Sequence, residues 1–148
     1  MKQSKIPSGS SSYEGEFAQD ADLYPTTLNS VVIAVSLGII TGFIGTMYHA
    51  SIWYASTGSW FVPWGSCLAI VMVFCASLWS ALRSGTSWGG VLVGIVAFVL
   101  IGLFGFGKEG SLLVLLNPQI PVGIAGVVWA FGALGAALIA QRIAHSLS

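Results

Sequence analysis

Beyond the acidic N-terminal segment, few side chains in this chain have the chemistry to react, ligate or carry a proton. Those singled out are His49, His145, Cys67, Cys75 and the neighbouring pair Lys108 and Glu109. An imidazole at position 49, beside Tyr48 and near Trp53 and Tyr54, is suited to hold haem, shuttle a proton or touch a quinone head group. Haem in a helix bundle commonly takes a second axial side chain. His145 follows the last apolar segment and belongs on the opposite side, so one chain does not assemble a two-histidine haem site. The plainer reading of His49 is an interfacial ring hydrogen-bonded to backbone or water. Cys67 and Cys75 are eight residues apart in one apolar segment. On a helix that is about 12 Å along the axis, beyond the ~7 Å Cα separation a disulfide allows. Soft-metal sites want three or four ligands, and nothing nearby completes a set. Lys108 and Glu109 read as a hairpin at the lipid–water boundary, with partner contact as the alternative.

The residues that are missing say more. Of 148 residues, 55% are hydrophobic and 7% charged, with five basic and five acidic side chains. A soluble domain carries about 25% charged residues. No Asp, Glu, Lys or Arg lies between Asp22 and Arg83, between Arg83 and Lys108, or between Glu109 and Arg142. A soluble fold built this way would present large apolar patches to water. The pattern is that of an integral membrane protein. Ion-coupled transporters place ionisable groups mid-membrane, and hydrolases need a nucleophile beside a base. Neither arrangement is present, nor is a P-loop, G-x-S-x-G or H-E-x-x-H motif. No basic stripe exists for nucleic acid. The expectation is a chain with no enzymatic activity and no cofactor or metal site.

The elements that would position these residues follow from hydropathy. The fold class expected is an all-α membrane protein of four transmembrane helices arranged as two hairpins, with a polar N-terminal extension. Residues 1–27 form that arm. The transmembrane domain covers 28–142, with spans at about 28–50, 63–82, 88–106 and 122–140, and 143–148 is a short tail. Pro25 suits a helix entrance, and Thr26 or Thr27 a cap. Trp53, Tyr54, Trp60, Phe61 and Trp64 in the first connection read as one wall of an aromatic belt. Residues 111–121 are too short and too interrupted by Asn117, Pro118 and Pro121 to span, and read as an interfacial stretch. Four spans put both termini on one side. Lys2, Lys5, Arg83 and Arg142 fall there and only Lys108 falls opposite, so both termini are expected in the cytoplasm.

Two features carry candidate contacts. Gly38, Gly42 and Gly45 lie near one face of the first helix, and Gly132, Ala136 and Ala140 make a second ridge of small residues. Such ridges let backbones approach in lipid, either inside the bundle or against another membrane protein. The arm begins with Lys2 and Lys5, passes through a Ser/Gly run and turns acidic. It does not resemble a cleaved signal peptide, because acidic residues directly precede the first apolar run, and is expected to be retained. It is either a solvated tail or a partner-binding segment. In the second case Glu14, Glu16, Asp20 and Asp22 meet a basic surface, and Tyr13, Phe17 and Tyr24 are the anchors.

The layout resembles a family of small actinobacterial four-helix membrane proteins with no assigned activity. The features that carry the likeness are Gly42-Phe43-Ile44-Gly45 leading to His49, Gly110-Ser111-Leu112-Leu113-Val114 with Asn117, and Gly126 followed by Trp129-Ala130-Phe131-Gly132-Ala133. It covers roughly residues 30–142 and excludes the arm. Proteins of this build look like accessory subunits of respiratory supercomplexes that join a cytochrome bc-type complex to a cytochrome oxidase. The resemblance implies other integral membrane subunits and lipid as partners, and carries no catalytic residue onto this chain. The competing expectation is a small homo-oligomeric transporter or channel for a neutral solute.

Overall fold

The computed structural model describes residues 27–56, 58, 60–85, 88–105, 117 and 119–147. Four helices occur among them: α1 (Thr27–Tyr48), α2 (Trp64–Ser84), α3 (Gly89–Gly105) and α4 (Pro121–Leu147). α1, α2 and α4 are long and apolar enough to cross a membrane, while α3 has 17 residues. In lipid each backbone N–H and C=O must find a partner within the protein, which makes the helix the default for such sequences.

The packing reverses the habit of soluble proteins. α4 buries Gly123, Ala125, Gly126, Ala130, Ala133, Ala136, Ala137, Ala140 and Ala144 around one large ring, Trp129. Large apolar side chains such as Phe43, Leu103, Phe131 and Ile139 point outward. Apolar burial does not drive helices together in lipid, where close backbone approach and dispersion must do it. Small residues inside and large ones outside follow. α4 packs mainly on α2, and α1 mainly on α3, while α2 and α3 also touch each other. Trp129, Ala133 and Ala137 of α4 share a core with Ala69 and Val73 of α2 and Ala97 and Ile101 of α3.

The helix ends differ from the spacing-based boundaries in explicable ways. α2 continues through Arg83 and Ser84 and stops at Gly85, whose φ of 56° is left-handed, a conformation glycine adopts without a Cβ clash. The tail expected at 143–148 is helical to Leu147. No Gly or Pro follows Gly135, and Ala144 stays buried one turn beyond Ala140, so packing carries the helix onward. α4 starts at Pro121, where the missing N–H is harmless. Asn117 leads into it, its Oδ1 accepting the Gln119 N–H at 3.0 Å. Pro25 and Thr26, the Lys108–Glu109 pair and most of 111–121 lie outside the described residues.

The chain is all-helical as expected, apart from a two-residue strand pair in the connection between α1 and α2. That connection forms a small antiparallel hairpin, β1 (Trp53–Tyr54) paired with β2 (Phe61–Val62). Aromatic and β-branched residues suit cross-strand pairing, and pairing satisfies backbone groups that no helix serves. The Trp53 and Trp60 rings meet edge-on with centroids 5.3 Å apart. Gly58, at φ 67°, supplies the left-handed residue of the turn.

At the other end of the bundle, the Gln141 Oε1 accepts the Gly90 N–H at 3.1 Å. That N–H lies in the first turn of α3, where no helical carbonyl is available. Gln141→Leu leaves it buried without a partner. The expected loss is about 1 kcal/mol of stability, read as a shifted midpoint in an SDS unfolding titration.

Candidate functional site

The polar groups that the fold brings together lie where α1 ends and α2 and α4 begin. His49 follows α1 directly and is 1% exposed. Its Nδ1 bonds the Thr46 carbonyl. A carbonyl only accepts, so Nδ1 carries the proton, and in the neutral ring Nε2 is then an acceptor. Nε2 is buried and has no partner among the described residues. Ser66 of α2 directs its hydroxyl at two carbonyls, His49 at 3.1 Å and Ala125 of α4 at 2.8 Å. The Trp129 indole N–H donates to Thr46 Oγ1 at 3.4 Å. Thr46 therefore serves two partners, its carbonyl taking His49 and its hydroxyl oxygen taking Trp129. Three helices are tied at this point by side chains that are all buried.

The same region needs glycine. A Cβ at Gly65 would meet the Tyr48 carbonyl oxygen and Ser51 Cβ, and the Gly65 N–H donates to the Ser51 carbonyl at 3.1 Å. A Cβ at Gly123 would meet the backbone of Asn117. The chain leaves α1, returns and enters α2 within backbone contact distance of itself.

The two small-residue ridges are inside the bundle. A Cβ at Gly38 would lie 2.6 Å from Val96 Cβ, and one at Gly42 would lie 3.0 Å from Ala97 Cα, both on α3. Gly45, one turn on, instead faces the Trp129 ring and Ala69. One ridge thus serves three neighbours, α3, α4 and α2. Gly132 faces Ile70 of α2, and Ala136 and Ala140 are buried. These surfaces are covered by the chain's own helices, so a partner would meet other faces. The arm residues Tyr13, Glu14, Glu16, Phe17, Asp20, Asp22 and Tyr24 lie outside the described residues.

His145 is at the far end of α4, beyond Gln141 and its bond to α3, so the two histidines occupy opposite ends of the bundle. Cys67 and Cys75 are free and exposed on α2. Arg83 sits over the Trp79 ring at 5.4 Å, a cation–π arrangement. Ser30, Ile33, Ser80, Arg83 and Ser84 surround a cavity of about 10 Å³, room for one water. The Ser30 Oγ is buried there without a partner among the described residues.

Thr46, Ser66 and Trp129 were not singled out as a polar group from the sequence. Their contacts join positions 17 to 83 residues apart, and no local spacing encodes that. No family model matches the chain, and neither a curated protein nor a solved structure does.

Proposed function

We propose that this chain is a non-catalytic accessory subunit of a larger membrane complex of the respiratory type, with cytochrome bc-type or cytochrome oxidase subunits as neighbours. The observation that supports the reading is the division of side chains across the bundle. Its interior is filled by Trp129 and by small residues in backbone contact, while the perimeter away from the Phe131–Arg142 stripe carries exposed Phe43, Met47, Val71 and Leu103. Such a body is built to adhere through its outer faces. All four helices cross the membrane in this reading. α3, at 17 residues, is at the lower end of the ~17–25 residues that suffice. Both termini then face the cytoplasm of a bacterial plasma membrane, where the acidic arm reaches a basic surface of the neighbour.

Affinity purification of the full chain in mild detergent tests the proposal. Respiratory subunits are expected in stoichiometric amount. Recovery as a free monomer or homo-oligomer alone would sink it, and flux of a neutral solute in reconstituted liposomes would favour the channel reading instead. A solute path would then run between copies, since Trp129 fills the centre of one.

A further inference from the structure

We propose that the exposed stripe of α4 ending at Arg142 binds one anionic phospholipid, with the phosphate at Arg142 and an acyl chain along the helix. The inference rests on insertion in a membrane and holds whichever partner the chain has.

α4 has 27 residues, about 40 Å at 1.5 Å per residue, against a hydrocarbon core of about 30 Å. The excess length, with Gln141, Arg142, His145 and Ser146 gathered at one end, carries that end into the headgroup layer. There the same four residues edge a shallow, open depression on the outside of the helix. Arg142 is exposed, and its guanidinium offers the planar fork that matches phosphate oxygens. Gln141 uses its Oε1 on the Gly90 N–H, which leaves its amide N–H groups as further donors.

The same helix face continues into the membrane as a track. Positions three and four residues before Arg142 are Ile139 and Leu138, both more than half exposed. One turn earlier is Gly135, where a Cβ would meet nothing within 4 Å. One further turn back is Phe131, 68% exposed. Gly135 makes a notch between the Phe131 ring and the Leu138 side chain. From Phe131 to Arg142 is about 16 Å along the axis, roughly half the ~30 Å hydrocarbon thickness and so one leaflet deep. A cation at the headgroup level above a notched apolar track of one-leaflet length matches a phospholipid. A protein segment would have to bring its own satisfied backbone into that depth.

The shared chemistry is a phosphate group, which free phosphate also offers, so the test separates the two. The full chain is analysed by native mass spectrometry from mild detergent with phosphatidylglycerol or phosphatidylcholine of identical acyl chains. One phosphatidylglycerol is expected to be retained about fivefold better than phosphatidylcholine, the scale of one basic group at a membrane surface. Arg142→Gln is expected to remove that preference, and Gly135→Leu to lower retention of both lipids by filling the notch. Arg83→Gln, which deletes the same charge from the same end, should change nothing. Equal retention of both lipids by the unaltered chain, an equal loss in Arg83→Gln, or displacement of the lipid by millimolar inorganic phosphate overturns the proposal. If Arg142→Gln does not fold, the lipid preference of the unaltered chain and the Gly135→Leu result decide it.

Discussion

Gly65→Ala is expected to destabilise the bundle by about 3 kcal/mol, although it adds a single methyl group. The new Cβ would meet the carbonyl oxygen of Tyr48, with Ser51 Cβ 2.9 Å away and the Tyr48 carbonyl carbon 3.0 Å away. These neighbours are backbone and the first atom of a side chain, so no rotamer change makes room. The segment carrying Tyr48 must move, and that segment also holds His49, whose carbonyl accepts from Ser66 and whose ring bonds Thr46. The shift also stretches the Gly65 N–H bond to Ser51. Gly102→Ala is the control. A Cβ there meets nothing within 4 Å, and alanine is the better helix former by up to about 1 kcal/mol, so it is expected to be neutral or mildly stabilising. Both are read by SDS titration of the purified chain, with size-exclusion chromatography reporting monodispersity. Equal midpoints for the two variants would show that α1 and α2 do not approach so closely at Tyr48.

Trp129→Ala is expected to cost about 3–5 kcal/mol, the range for emptying a large buried aromatic site. Trp129 is the largest of the fully buried side chains, at 0% exposure. In lipid the penalty comes from lost contacts around an unfilled void, since transfer to a surrounding apolar phase adds little. The void would lie between Gly45 of α1 and Ala69 of α2, and the indole bond to Thr46 Oγ1 would go with it. A double-mutant cycle separates packing from everything else. In the unaltered chain, Gly45→Ala drives its methyl into the Cζ2 and Cη2 edge of the indole. Trp129→Phe withdraws that edge, so Gly45→Ala should cost less in the Phe background, by about 1 kcal/mol or more. Additive losses would place the Trp129 ring away from Gly45.

Some of these residues were legible in advance and some were not. Gly38, Gly42 and Gly45 announce a close helix contact by their spacing, because three- and four-residue steps share a helix face. What spacing does not reveal is that Gly45 turns from α3 to the Trp129 ring. That depends on which helix lies beside which. The hairpin at Trp53–Tyr54 and Phe61–Val62 was read as an aromatic connection, because two-residue strands leave no periodic signal. The helical continuation to Leu147 is not visible in hydropathy. Residues 143–148 look like a short tail by that measure, but Ala144 is held by packing. His49 was visible as an isolated imidazole. Its burial with Thr46, Ser66 and Trp129 was not.

By itself, the sequence determined that this is a membrane-type helical chain, through the scarcity and placement of charge. Lipid tolerates few ionised groups and requires hydrogen-bonded backbone, so composition alone dictates both class and approximate helix positions. Only the tertiary structure decided which small residues face which neighbours, and that the polar knot at Thr46, His49, Ser66 and Trp129 exists. The helices are apolar on every side, so no amphipathic stripe marks an inner face as it would in water. The inner face is chosen by how closely backbones can approach, and that is a property of pairs of helices far apart in the chain.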